Sequence, residues 1–482
     1  MGAPLYISVD LGAGSGRVFL VSFETDRLFL VEVKRFRYPP RMVNGRLSWD
    51  FELIFENVIL GIEDAARRAQ ELDRPIISVG VDSWAVDHGL LDSDGQLISD
   101  PVCYRDRRTE GIPAKVFSVI PQSEIFARTG IQILDFNTLY QLYSDRDRLS
   151  AADKVLLLPD LINFRLCGAK VAEFTNATTT QMLNVGTRKW DTELLGSLDI
   201  PTPLLPEIVE PGTVLGTYGE RSITVVSVAS HDTASAIAAA PLTSNSAYIS
   251  SGTWSLVGVE LKHPLVNNEV SKANFTNEGG VDGTTRFLKN VMGLWLLERC
   301  RAEWSAGGID VNYEDLIETA FQGTESRALI FPDDPRFVNP KSMLDAIRDQ
   351  LAETGQKVDH EPTIVAKLIF DSLAFRYACV LRTASDLTRV KISRVEILGG
   401  GGRNRYLNQM TANATGVNVR AGLFEATVVG NAAVQAIAAG QFTGIADVRR
   451  HIEEVTELEE FVPVDVDADL RDRYAEIEKR YI

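Results

Sequence analysis

The sequence predicts an α/β protein made of two similar halves. Three observations carry that reading. Apolar, β-branched runs alternate with stretches of helical periodicity through most of the 482 residues. The chain opens on strand, glycine-rich turn, strand. A weaker copy of that opening returns about one domain later, as a duplicated fold requires.

The opening sets the pattern. Leu5–Val9 is an apolar run ending in Asp10, followed by Leu11-Gly12-Ala13-Gly14-Ser15-Gly16-Arg17. Apolar runs at Val18–Phe23 and Leu28–Val33 come next, which makes a β-meander. A P-loop or a dinucleotide-binding unit would place a helix after its glycines, and the spacing also fails GxxxxGK[ST]. Phe51–Glu71 puts Ile54, Val58, Ile62 and Ala65 on one helical face. Ile76–Val81 reads as a buried strand ending in Asp82. Ile223–Val228 reads as another, leading through Ser230-His231-Asp232-Thr233 into a helix start.

The second copy is Ala247–Ile249, the small-residue turn Ser250-Ser251-Gly252-Thr253, and Trp254–Glu260. Helices are expected at Gly293–Trp304, Thr363–Leu387, Asn404–Thr415 and Gly430–Ala439. A strand at Val395–Leu398 precedes Gly399-Gly400-Gly401-Gly402. The domain boundary is placed near residue 240, giving domains at 1–240 and 241–464 and a polar tail helix at 465–482. A cleft between two α/β domains is where such a chain binds ligands.

Composition narrows the function. With 45% hydrophobic and 24% charged residues, a sizeable core is available. The net charge of −17 and the lack of a basic run argue against nucleic acid or a membrane surface as partner. Four cysteines without CxxC spacing read as reduced thiols. No basic segment precedes the first strand, and the apolar runs are too short for a bilayer, so a cytoplasmic protein is expected. A homodimer stays open.

Several residues suit phosphate chemistry. Asp10 can hold Mg²⁺ through water, since that ion takes one or two carboxylates. Gly12, Gly14 and Gly16 let backbone N–H groups approach a polyphosphate; Ser15 adds a hydroxyl and Arg17 a charge. Asp232 can accept a hydroxyl proton during phosphoryl transfer, or it can cap a helix. Thr253 can donate to a phosphate or satisfy its own turn. Gly399–Gly402 lets a nucleotide approach the backbone, or makes a tight connection. Trp84 is either a sugar wall or a core residue. His88 reads as structural.

Taken in order, these motifs resemble the FGGY carbohydrate kinases, and within them the rhamnulose-phosphorylating members. The resemblance runs through Val9–Arg17, Gly80–Asp87, Tyr104–Asp106, Thr129–Gln132, Phe136–Gln141, Ser230–Ala234, Ser250–Leu256, Leu288–Leu297 and Gly399–Gly401. It implies two ribonuclease H-like (actin-like ATPase) domains with an active-site cleft between them, and ATP and Mg²⁺ acting on a ketose. It implies that Ala13, Gly14, Ser15, Gly16, Arg17, Thr253, Glu298 and Gly401 contact nucleotide, and that Asp10 is the Mg²⁺-linked carboxylate. It implies that Asp232 is the general base, and that Trp84, Ala85, His231, Thr233 and Asn290 line the sugar. Ala85 stands where the pattern has Gly, and Glu298 where it has Gln. Ala85 keeps L-fuculose and xylulose open beside L-rhamnulose. A chaperone-like or actin-like ATPase shares the fold, but not the Ser230–Thr233 motif.

Overall fold

The computed structural model describes residues 2–220, 222–322, 327–357, 361–464 and 468–481. Two compact units emerge. The first holds the chain up to Pro241 together with Leu261–Phe287 and Glu425–Thr456. The second holds Leu242–Glu260, Leu288–Phe424 and the chain from Glu457 on. Two segments beyond residue 240 therefore return to the first unit.

The first unit is built on a six-stranded sheet. Strands β1 (Leu5–Gly12), β2 (Ser15–Phe23) and β3 (Leu28–Arg37) form the expected meander at one side. Ile76–Ser83 pairs parallel with β1, Ile223–Ser227 pairs parallel with Ile76–Ser83, and Thr213–Tyr218 closes the other edge. β3 runs past its apolar stretch, because its ladder with β2 continues to Arg37 opposite Ser15. The β1–β2 turn is two residues long. Gly14 supplies its φ of +131°, and a Cβ on Gly16 would lie 2.4 Å from the Phe36 ring.

Helix α1 (Phe51–Glu71) begins where the periodicity begins. Asp50 caps it by accepting the Leu53 amide at 3.2 Å. Its Ile54, Val58, Ile62 and Ala65 are buried in one core with Val9, Val18, Leu20, Val79 and Val81. Each large aliphatic side chain so buried contributes about 1.5–3 kcal/mol.

The helix expected from Gly430 starts earlier, at Ala426, and ends at Ala438. Gly430 lies mid-helix because it crosses the helix Asp232–Ala239 there. A Cβ would sit 1.7 Å from the Ser235 carbonyl oxygen, so only glycine permits the approach.

In the second unit, Ser246–Ser251 and Trp254–Leu261 form an antiparallel hairpin. Arg394–Leu398 and Asn418–Ala421 extend it in parallel, and Glu459–Phe461 closes the edge antiparallel. Hairpin, parallel strand, parallel strand is the order of the first sheet again. The long helix Pro362–Thr388 is buried over most of its length. The helix expected from Gly293 starts at Trp295 and ends at Ala306, since the Gly293 and Leu294 amides go to the Thr253 and Gly252 carbonyls. The tail helix is Ala468–Tyr481; residues 465–467 of the expected span lie outside the described residues. Among the described residues, no helix is long and apolar enough to cross a membrane.

Candidate active site

In an open α/β sheet, ligands gather outside the carboxyl ends of the parallel strands. In the first unit those ends belong to β1, Ile76–Ser83 and Ile223–Ser227, and they carry Asp10, Asp82 and the Ser230–Asp232 segment. Asp10 and Asp82 occupy paired register positions. The Arg17 guanidinium bridges the carboxylates of Asp10 and Glu425, so its charge is matched within the protein. Tyr38 anchors the glycine turn, its hydroxyl lying 2.6 Å from the Gly12 carbonyl and 2.9 Å from that of Ser15. Ala13 and Gly14 are half-buried at the tip, and Ser15 is exposed.

Asp82 is fully buried. Asn431 donates to its Oδ2 at 2.6 Å, while Oδ1 has no donor among the described residues. Burial, followed by the nearby Asp10 charge, pushes its pKa well above the carboxylate range.

The Ser230–Thr233 turn is held from behind. Glu173 accepts the Ser230 amide at 3.0 Å and the Ser230 hydroxyl at 2.8 Å; it also takes the Thr175 amide and hydroxyl. Asp232 is the first residue of its helix and His231 is the cap, so Asp232 is not the helix N-cap. Its hydrogen bonds from the Thr233 amide and the Thr233 hydroxyl (3.1 Å) both fall on Oδ1, and His231 Nε2 lies 3.4 Å from that same oxygen. Burial is the largest cause of a raised Asp232 pKa and the Asp10 charge adds to it, against the hydrogen bonds from Thr233. A third of the side chain, 31%, still meets water. A raised carboxyl pKa lies nearer the pH at which a general base works.

Trp84 sits 6% exposed, its ring centroid 4.7 Å from Trp49, and its indole N–H donates to Asp87 at 2.9 Å. It is packed as a core residue, and the half-buried Ala85 follows it. Trp49 also donates to Asp87, at 2.7 Å. Burial pushes Asp87 up to about 6, against these donors. His88 is buried in the strand His88–Leu91, and burial pulls it down to about 4, as a structural histidine requires.

In the second unit Thr253 is exposed at the hairpin tip, its carbonyl accepting the Gly293 and Trp295 amides. Gly401 is buried, and a Cβ there would lie 2.1 Å from Ser251 Oγ. Its glycine thus brings the Gly399–Gly402 loop against the strand that leads to Thr253. Asn290 is half-buried in Thr285–Met292. Glu298 is exposed and paired with Arg301 at 3.1 Å.

Comparison with known proteins now settles the family. Residues 5–237 match the N-terminal domain of the FGGY family of carbohydrate kinases, and residues 247–439 match its C-terminal domain. The chain belongs to the FGGY family of carbohydrate kinases. This FGGY kinase is 42% identical over 476 residues to the rhamnulokinase of Bacteroides thetaiotaomicron, covering 96% of each chain. It is 36% identical over 488 residues to the rhamnulokinase of Enterococcus faecalis, covering 98% of this chain and 97% of the relative. Its fold is similar to that of a xylulose kinase from Lactobacillus acidophilus, with a TM-score of 0.78 at 19% identity over 99% of this chain and 97% of the other. It is also similar to the fold of Plasmodium falciparum glycerol kinase, with a TM-score of 0.79 at 12% identity over 100% and 98% of the two chains. The two-domain α/β architecture and the sugar kinase activity, with ATP as phosphoryl donor, follow from this membership. The ATPase without a sugar acceptor is set aside.

Sequence reasoning missed Glu425, Glu173, Glu278 and Arg286. Each is an ordinary charged residue far from the motif it supports; burial marks out Glu173, Glu278 and Arg286, whereas Glu425 is only half-buried. Asp82 was legible as the end of a strand, though not as a member of the site.

Proposed function

We propose that this FGGY kinase transfers the γ-phosphoryl group of ATP to the C1 hydroxyl of L-rhamnulose, with Asp232 as general base. The carrying observation is the asymmetry of the Asp232 carboxylate: its donors crowd Oδ1 and leave Oδ2 for the sugar. Oδ2 takes the hydroxyl proton as the sugar oxygen bonds to the γ-phosphorus. The bond from that phosphorus to the bridging oxygen breaks, and ADP leaves. The rhamnulokinase relatives support the choice of sugar. His231, Thr233 and Asn290 are assigned to sugar contacts. The Ala13–Gly16 amides, Thr253 and Gly401 are assigned to nucleotide. Arg17 serves this site by holding Asp10.

The residues present suit Mg²⁺. Asp10 keeps one oxygen outside its pairing with Arg17, and Asp82 Oδ1 is a buried oxygen lacking a donor. No group of three ligating side chains occurs among the described residues, and Mg²⁺ needs only one or two carboxylates with water. Asp10 is the residue assigned to it; when bound, the ion neutralises phosphate charge.

Two measurements test the reading. Asp232→Asn should remain folded and lose on the order of 10²–10⁴-fold in kcat; near-normal turnover would remove Asp232 from the role. A panel of ketoses with coupled ADP detection should give the highest kcat/KM on L-rhamnulose. Ala85 motivates the second reading, and equal or better kcat/KM on L-fuculose or xylulose would establish it.

A further inference from the structure

We propose that Arg286 is a positioning residue of the transfer centre. It fixes His231 in the neutral form that carries its proton on Nε2, and His231 in turn orients Asp232. This rests on the reading of Asp232 as general base.

The geometry is a chain of four side chains in the first unit. Arg286 is fully buried. Its Nε donates to the Gly279 carbonyl at 2.8 Å, which fixes the guanidinium plane. One terminal nitrogen lies 3.0 Å from Glu278 Oε2, off the hydrogen-bond axis, so the two form an ion pair rather than an aligned hydrogen bond. The other terminal nitrogen lies 3.1 Å from His231 Nδ1. An arginine only donates, so this contact requires a lone pair on Nδ1. Glu278 Oε2 also approaches Nδ1, at 3.4 Å, but the Arg286 nitrogen lies closer and can only donate. Burial raises the Glu278 pKa, yet the net shift is downward, with the Arg286 charge the largest cause against burial. Arg286 therefore matches the carboxylate and takes Nδ1 as acceptor.

With Nδ1 accepting, the ring proton lies on Nε2, 3.4 Å from Asp232 Oδ1. That is long for a hydrogen bond but close enough for the N–H dipole to hold the carboxylate. Together with the two Thr233 donors it confines attraction to one oxygen and frees the other. The opposite tautomer would turn an Nε2 lone pair toward Oδ1, and repulsion would rotate the carboxylate. Asp10 and Asp82 act on Asp232 from the neighbouring strands but do not reach the imidazole within ion-pair distance.

The chain has five histidines, so the ring-nitrogen NMR spectrum of the ¹⁵N-histidine-labelled full chain can be assigned with His231→Gln. The wild type should show His231 protonated on Nε2 alone. Arg286→Gln should lose that tautomer and lower kcat by about 10–100-fold, with a smaller change in sugar KM. Arg286→Lys should recover part of both. Glu278→Gln, which keeps the arginine, supplies the second variant should Arg286→Gln fail to fold; it should keep the tautomer. A wild-type spectrum with the proton on Nδ1, or on both nitrogens, overturns the proposal. So does any variant in which tautomer and kcat move independently. The spectrum needs no turnover, so an active Asp232→Asn would sink the general-base reading and leave the tautomer measurement standing.

Discussion

The two hairpins share one framework and carry opposite chemistry. In the first, Asp10 faces Arg17 across the hairpin and Asp82 on the parallel strand. In the second, the matching position is Ser250, which faces Leu256 across the hairpin and Leu398 on the parallel strand. Three charged residues are replaced by one serine and two leucines. Glycine serves both copies, though differently. Gly14 and Gly16 shape the first turn itself, while Gly293 and Gly401 let neighbouring segments press onto the second. A duplicated backbone can thus supply two phosphate-type turns while confining buried charge to one of them.

The sharpest way to break that comparison is to move a charge across it. Leu398→Asp would place a carboxylate at the position matching Asp82, without the Asn431 amide that supports Asp82 in the first unit. A buried, unpaired carboxylate should cost about 3–5 kcal/mol. Chemical denaturation should show the loss; a stability within 1 kcal/mol of the wild type, an order-of-magnitude margin, would mean that the second copy tolerates charge.

Asp87 gives a smaller, pH-dependent effect. Its folded pKa of about 6 exceeds the reference of 3.8, so the folded state holds its proton more tightly. Its contribution is complete below pH 4 and is lost as pH rises through 6, on the order of 3 kcal/mol. Asp87→Asn should flatten the stability profile between about pH 4 and 6. An unchanged slope in urea midpoints would remove Asp87 as its source.

Arg17→Met tests whether charge in the first hairpin must be matched. Asp10 and Glu425 would both lose their cation. Because Arg17 is partly exposed, the cost should fall below that of a sealed pair, about 1–3 kcal/mol in thermal unfolding. Glu298→Gln is the control in the neutral copy. Its pair with Arg301 is exposed, so stability should change by less than about 0.5 kcal/mol. A larger change would give the second unit a charge dependence that its hairpin lacks.

Strand and helix positions were legible where periodicity and glycine placement agree. α1 matches its expected span because the apolar spacing and the Asp50 cap coincide. The helix containing Gly430 was misplaced at its start, because local propensity puts glycine at an end while the helix crossing demands it mid-helix. Asp10, the glycine turn and the Ser230–Thr233 motif stood out as compact local patterns. The partners that tune them did not: Glu425 lies 408 residues from Arg17, and Arg286 lies 55 from His231.

By itself, the sequence determined the opening meander, the span of α1, the duplicated hairpin and the identity of the candidate base. Those features are written in periodicity and short motifs, which act over a few residues. Only the tertiary structure decided that Asp232 presents one oxygen, that Arg17 is matched between two carboxylates, and that a buried arginine stands behind His231. Charge pairing in a sheet acts through space at the carboxyl ends of strands, and spacing along the chain carries no record of which distant side chain arrives there.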